Sequence, residues 1–427
     1  MATYESYKDS GVKWLGQIPS HWGKGKMREF FSERKQLSQN GSETLLSVSE
    51  YSGITPSINE AGENVSRSAS LIGYKKCKST DLIINIMLAW KRGLGISDYD
   101  GIVSPAYCVF ETHNINPHYA NYLLRTDLYT AEFKRNSTGI IESRLRMYPD
   151  DFKNIVCIKP PKQEQEAIVA YLDKVTGEID RAIEAQQKMI DALNERKQII
   201  ITRAVTRGLD PDAPLRDSGI DWLGQIPAHW KMRKLKWLIA SPLQYGANES
   251  PDDYSESLPR YIRITDISIN GTLKKEGAVS LAWDKASKYM LTKGDVLFAR
   301  SGATVGKTYL YAEDSASCFA GYLIKAECND LILPEFLVFF TQSSVYENWK
   351  NYIFNKATIQ NIGADKYSTL VVPFPSIEEQ KRILERLKDN ISPINQSIYH
   401  CECMISLLQE RKQIIINEVV TGKKRVI

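Results

Sequence analysis

Apolar residues recur every three to four positions over two stretches, about 162–206 and 376–421, and the recurrence keeps one register in both. One seam position holds Leu172, Ile179, Gln186, Leu193 and Ile200 in the first stretch, and Leu387, Ile394, Cys401, Leu408 and Ile415 in the second. The other holds Ile168, Val175, Ala182, Met189 and Arg196, against Ile383, Asn390, Ser397, Met404 and Arg411. A heptad frame with polar interruptions suits helices that pack as a coiled-coil pair. Thr176-Gly177 and Ser392-Pro393 fall at the same point of the two stretches, and Ser-Pro reads as an N-cap followed by proline at the first helical position. The spacing therefore predicts a short helix (about 162–175 and 376–389) and then a long one (about 178–206 and 393–421). A long helix of this size spans ~44 Å at 1.5 Å per residue. Its narrow apolar stripe needs a partner, and the natural one is its own copy. Antiparallel packing of the two would give the chain a pseudo-two-fold axis.

Before each helical stretch the pattern changes to β character. Asp81–Leu88 and Ile102–Phe110 in the first half, and Tyr261–Ile269, Asp295–Ala299 and Cys318–Lys325 in the second, are apolar runs bounded by Gly, Ser and Pro. Short helices are expected at Pro117–Leu124 and Pro334–Phe340. Each half reads as a mixed α/β module with a strongly bent sheet, followed by helix.

The two halves are copies. Residues 9–22 read DSGVKWLGQIPSHW and 217–230 read DSGIDWLGQIPAHW, eleven of fourteen positions matching. Residues 193–201, LNERKQIII, and 408–416, LQERKQIII, match at eight of nine. Before these stand PPKQEQEAIVAYL (160–172) and PSIEEQKRILERL (375–387) at the same offset. Internal repetition on this scale makes the chain a tandem duplication, with units of about 8–215 and 216–427. Each unit has a Trp-containing opening repeat, a divergent stretch and a helical segment.

Composition narrows the picture little. The 427 residues suffice for two or three domains, and 43% hydrophobic with 25% charged residues is ordinary for a soluble globular chain. No apolar run is long enough to cross a bilayer, and MATYESYKDSG has no export pattern, so a cytoplasmic protein is expected. Seven scattered cysteines suit reduced thiols, with Cys401 and Cys403 packing in a helix rather than binding metal. A net charge of +4 neither supports nor excludes nucleic acid. Local clusters exist at Lys231, Arg233, Lys234 and Lys236, at Arg144 and Arg146, and at Lys423, Lys424 and Arg425.

Catalytic signals fail on spacing. Gly302-Ala-Thr-Val-Gly306-Lys307-Thr308 has one residue too few between its glycines for a phosphate-binding loop and reads as a turn after a strand. Asn116-Pro117-His118-Tyr119 echoes an adenine methyltransferase element without its Gly-rich cofactor loop, and reads as a helix start. Pro149-Asp150-Asp151-Phe152-Lys153 is too compressed for a nuclease metal site and reads as a turn. His21 and His229, each beside tryptophan in the opening repeats, read as packing residues.

Duplication, opening repeats and helical segments together resemble the specificity subunit of type I restriction-modification systems. The residues that carry the resemblance are the two WLGQIPxHW repeats, Pro160-Pro161-Lys162-Gln163-Glu164-Gln165, its departure Pro375-Ser376-Ile377-Glu378-Glu379-Gln380, and GIIESRLRMYPDDF (139–152). The resemblance covers essentially the whole chain. It implies two globular target-recognition domains (1–159 and 216–374) joined by two long antiparallel coiled-coil helices in conserved regions (160–215 and 375–427), and no catalysis by this chain. Each domain would read one half of an asymmetric bipartite target in double-stranded DNA, with helix length setting the unread spacer. The implied partners are two modification subunits carrying S-adenosylmethionine and two motor-nuclease subunits using ATP and magnesium; this chain itself would carry no cofactor. A specificity subunit of another combined endonuclease-methylase type, or a coiled-coil scaffold, are the competing readings. On the family reading the DNA-contact candidates are Lys91, Arg92, Ser143, Arg144 and Arg146 in the first domain. In the second they are Tyr245, Arg263, Arg300, Ser301, Lys307, Lys356 and Gln360, with 355–361 as the preferred loop.

Overall fold

The protein was analysed as a computed structural model that describes residues 3–57, 71–268, 272–354 and 361–426. The chain divides into two compact units, Met1–Gln186 with Glu402–Ile427, and Gln187–Cys401.

In the first unit the strands Phe31–Glu33, Tyr107–Thr112, Leu82–Asn85 and Leu94–Ile96 form an antiparallel sheet in that order. Around it lie two-stranded pairs, among them Gly23–Lys26 with Val156–Lys159 and the opening repeat's hairpin Tyr7–Asp9 with Gln17–Pro19. So the β content is a set of small sheets rather than one strongly bent one. The run expected at Ile102–Phe110 is two strands, Gly101–Val103 and Tyr107–Thr112. Ser104-Pro105 breaks it: proline cannot continue the ladder, and the Tyr107 N–H closes a turn on the Ser104 carbonyl at 2.9 Å. The strand begun at Leu82 stops at Asn85, where the chain turns into a 3-10 helix at Ala89–Lys91. Pro117–Leu124 is helical as expected, with Asn116 as its side-chain cap and proline at the first turn. Pro149–Asn154 is a short helix and not a turn: proline starts it, Asp150 and Asp151 sit in its first turn, and Phe152 is buried beneath it.

The second unit repeats this plan with Gln244–Tyr245, Leu323–Ala326, Val296–Ala299 and Thr308–Leu310 as its antiparallel sheet. Lys231–Lys234 pairs with Val371–Phe374 in the place of the first unit's outer pair. A further sheet, Asp252–Asp253, Val279–Ser280, Arg260–Ile262 and Ser317–Phe319, includes one parallel pairing. The run expected at Tyr261–Ile269 is strand only to Ile262, then a 3-10 turn at Ile264–Asp266; Ile269 lies outside the described residues. Cys318–Lys325 splits at Gly321 into Ser317–Phe319 and Leu323–Ala326. Gly302–Thr304 is a 3-10 turn, and the chain then enters the strand Thr308–Leu310, with no helix following to hold a phosphate.

Two helices dominate, Lys162–Arg207 and Ile377–Val420, and each is unbroken. The breaks expected at Thr176-Gly177 and Ser392-Pro393 are absent, because packing on both sides overrides local propensity. Leu172, Thr176 and Ile179 are all buried, as are Leu387, Ile391 and Ile394 around the internal Pro393. In the first unit Lys412 Nζ donates to Asp180 at 2.6 and 2.7 Å; in the second Lys197 Nζ donates to Asn395 Oδ1 at 2.8 Å. Each contact ties a stretch of one long helix to a stretch of the other within a single unit.

Their seam departs from the heptad frame. Ile190 is 8% exposed while Met189 is 54%, and Met404 is 46% exposed with Cys401 buried. An α-helix drifts ~20° per heptad against a strict seven-residue repeat. By the fourth heptad the contact line has moved by nearly one residue, replacing Met189 and Arg196 by Ile190 and Lys197, and Ser397, Met404 and Arg411 by Ile398, Ile405 and Lys412.

Candidate nucleic-acid interface

Each unit is locked by the same small junction. The carboxylate of the Glu-Gln pair faces the histidine of the opening repeat: His21 Nε2 lies 2.8 Å from Glu164 Oε2, and His229 Nε2 lies 3.0 Å from Glu379 Oε2. The glutamine clamps the chain around it. Gln165 Oε1 accepts from the Asn116 N–H at 2.7 Å while its amide donates to the Pro160 carbonyl at 2.7 Å. Gln380 Oε1 accepts from the Leu333 N–H at 2.8 Å, and its amide reaches the carbonyls of Leu331 and Pro375 at 2.9 and 3.1 Å. Both glutamines are buried, so these bonds are costly to leave unmade. The histidines are structural, as the sequence suggests, and the junction fixes each module to its helices.

One helix end closes each junction. Gly208 and Gly422 sit at the C-termini of the long helices with φ of +72° and +73°, the left-handed conformation that ends a helix. Gly208 abuts Trp230 in the second unit, and Gly422 abuts Pro19 and Trp22 in the first.

On the first module, the Trp90 indole carries Lys91 Nζ at 4.9 Å and Lys134 Nζ at 5.0 Å from its ring centre. Lys134 also pairs with Glu142, in the loop that bears Arg144. The hydrogen bond from Lys134, helped by the charge of Lys91, holds the Glu142 carboxyl below its usual range. The loop is pinned at its base, where Thr138 and Arg146 exchange backbone bonds of 2.9 and 3.0 Å and the Met147 N–H donates to the Ile86 carbonyl at 2.8 Å. At its tip Ile140 is fully exposed and Arg144 faces solvent. Lys91, Arg144 and Arg146 are thus brought to one loop region, while nothing is described of the Ser143 side chain. Arg92 is taken up in an ion pair with Asp127.

On the second module the structure gathers Tyr245, Arg300 and Ser301. The Arg300 guanidinium lies 4.8 Å from the Tyr245 ring centre, and Ser301 bridges to Asn361. Lys307, at the far end of the same turn, is exposed. Arg263 stands apart: Asp266 and the Gly277 carbonyl hold it at 2.6 to 3.1 Å, and the Asp266 bond raises its pKa. Lys356 and Gln360 lie outside the described residues. The sequence missed Trp90, Lys134 and the exposed Tyr322, because only the fold brings them beside the basic positions. Among the described residues no cluster of His, Cys, Asp and Glu could hold a metal ion, and no helix is long and apolar enough to cross a membrane.

Comparison with known proteins agrees with this arrangement. Residues 243–399 match the family model of the type I restriction modification DNA specificity domain. The chain is 24% identical over 374 residues to the type I restriction enzyme MjaVIII specificity subunit of Methanocaldococcus jannaschii, covering 83% of each. It is 27% identical over 241 residues to the EcoBI specificity subunit of Escherichia coli, covering 54% of this chain and 50% of that one. A solved structure from work on complex assembly and conformational transition of the type I R-M system shares the fold with a TM-score of 0.68 at 16% identity, over 94% of this chain and 98% of that one. The domain model over part of the chain, one relative aligned over most of it and the shared fold make the chain similar to type I restriction-modification specificity subunits.

Proposed function

We propose that this chain is the non-catalytic, DNA-reading subunit of a type I restriction-modification complex, each module recognising one half of an asymmetric bipartite target. The observation that carries the reading is the repeated Glu-Gln junction, which holds two modules of different surface on one framework. A shared framework with divergent faces is what reading two different half-sites requires. We divide the chain into recognition domains at 1–159 and 216–374 and helical regions at 160–215 and 375–427. Lys91, Arg144 and Arg146 contact DNA from the first domain, and Tyr245, Arg300, Ser301 and Lys307 from the second. Ser143, Lys356 and Gln360 join them on the sequence alone, whereas Arg92 and Arg263 shape the surface through their ion pairs.

The helices set the unread spacer and dock two modification subunits, which carry S-adenosylmethionine and methylate adenine; two motor-nuclease subunits complete the assembly in the cytoplasm. The test is methylome sequencing of cells expressing this chain with its modification partner. A bipartite, adenine-methylated motif is expected. Methylation without a bipartite motif, or none at all, overturns the proposal. Arg144→Ala should change base preference in one half-site only.

A further inference from the structure

Arg300 is held unlike the other arginines described around it in the second module. Arg263 is neutralised by Asp266, and Arg260 and Arg216 donate from Nη2 to the backbone carbonyls of Lys274 and Trp230, although Arg260 shares with Arg300 a buried Nε without a partner. Arg300 has no hydrogen-bonded or ionic partner for its guanidinium among the described residues, and its Nε is shut off from solvent with its hydrogen unspent. Its backbone, by contrast, is fixed on both sides. The Arg300 N–H donates to the Tyr322 carbonyl at 3.0 Å, and its own carbonyl accepts from the Ile362 N–H at 2.9 Å. The guanidinium rests on the Tyr245 ring, and that ring is fixed too, since its hydroxyl accepts from the Ala364 N–H at 2.9 Å. Tyr245 and Tyr322 are 40% and 63% exposed, so the arginine stands at an open rim between aromatic surfaces.

A planar cation held by stacking, with a donor edge unspent, suits a ligand offering two adjacent acceptors in one plane. In the DNA major groove that pair is O6 and N7 of guanine. The two Nη groups, unlike Nε, are not closed off and have no partner among the described residues, so they form the edge that an acceptor pair can reach. A phosphate also offers two acceptors to such a fork, but a phosphate contact carries no base identity, so loss of preference at one base position separates the two.

We infer that Arg300 reads a guanine in the half-site addressed by the second module, and that Tyr245 is the positioning residue that holds the guanidinium plane. The inference rests on the DNA-reading function proposed above. Ile86 stands at the corresponding place in the first module, its carbonyl taking the equivalent bond from Met147, so that module has no such reader there.

The experiment is methylome sequencing of the full chain with its modification partner, comparing the wild type with Arg300→Lys, Tyr245→Phe and Tyr245→Leu. Arg300→Lys keeps the charge and loses the fork, so the guanine preference at one position of one half-site should fall about tenfold or more. The other half-site should stay unchanged. Tyr245→Phe keeps the ring but loses its anchor on the Ala364 N–H, and should relax the same position less than Tyr245→Leu. Recovery of each variant in complex with the modification partner separates lost reading from lost folding. A wild-type motif that survives Arg300→Lys at every position overturns the inference alone. A motif relaxed by Arg300→Lys but untouched by Tyr245→Leu removes the positioning role of the tyrosine. Absence of any bipartite motif in the wild type overturns the DNA-reading function instead.

Discussion

In the first unit the peptide after the strand Leu82–Asn85 carries Ile86, and its carbonyl takes the Met147 N–H; in the second the same carbonyl belongs to Arg300 and takes the N–H of Ile362. The bond is kept while the side chain goes from apolar to cationic. The junctions below show the same economy with small departures. Trp230 Nε1 donates to Glu379 Oε1 at 3.0 Å, whereas the Tyr4 hydroxyl takes that oxygen of Glu164 in the first unit. Trp22 Nε1 is then buried with no partner among the described residues. Backbone and clamp residues carry what the copies share; individual side chains on that framework carry what distinguishes them. The framework can therefore be stressed at equivalent positions, and the responses of the two units compared.

The largest effect is expected where equivalent glycines meet unequal surroundings. Both Gly208 and Gly422 have positive φ, which costs an alanine about 1–2 kcal/mol. A Cβ on Gly422 would stand 2.4 Å from Pro19 Cδ, a ring that cannot swing away; on Gly208 the nearest atom is a Trp230 carbon at 3.3 Å. Overpacking adds about 1–3 kcal/mol in the first case and little in the second. Gly422→Ala should therefore destabilise the first unit by about 2–5 kcal/mol, and Gly208→Ala the second by about 1–2 kcal/mol. Hydrogen exchange resolved along the chain measures both, and equal losses would mean that the Pro19 contact carries no weight.

Equivalent and equal effects are expected at the clamp. Gln165→Ala strands the Asn116 N–H and Pro160 carbonyl; Gln380→Ala strands the Leu333 N–H and the carbonyls of Leu331 and Pro375. Each should cost about 1–3 kcal/mol by leaving buried backbone groups unpaired, read as matched drops in urea midpoint. Silence in one unit would show that its junction is held by something else.

Much of this organisation is legible from the sequence, for reasons that can be named. Repetition exposes the Glu-Gln pair and the opening histidines, yet not that one residue of the pair meets the histidine and the other the module. Those contacts join Glu164 to His21 and Gln165 to Asn116, far apart along the chain. Helix existence follows from apolar periodicity, but the seam position at Met189 does not, since a seven-residue frame ignores the drift of a straight helix. Thr176-Gly177 and Pro393 are genuine local breakers that lose to packing by Leu172, Ile179, Ile391 and Ile394. On the second module, residue type nominates Arg263 and Arg300 equally; only the fold gives Arg263 a carboxylate and Arg300 an aromatic ring. Lysine on tryptophan at residue 90 is hidden in the same way, because Lys134 arrives from a helix.

The smallest expected effect tests the helix pair. Lys412 and Lys197 are equivalent seam residues, but Lys412 meets the carboxylate of Asp180 while Lys197 meets the neutral amide of Asn395. Burial lowers the Lys197 pKa below its usual 10.5. The folded state therefore disfavours the charged amine, a penalty present in full below the lowered value and lost as pH rises from there to 10.5. Stability of the second unit should accordingly improve slightly across that alkaline window, provided the rest of the unit holds. Asn395→Asp supplies the missing carboxylate, lifts the Lys197 pKa and should stabilise the unit by up to ~1 kcal/mol at low salt. The gain should shrink as ionic strength rises. Asp180→Asn removes the counterpart from the first unit and should cost no more than this, because Asp180 is half exposed. Urea midpoints at low and high salt read both changes. A gain from Asn395→Asp that ignores salt would trace to something other than the ion pair, and no gain at low salt would mean that the amide already serves Lys197 as well as a carboxylate does.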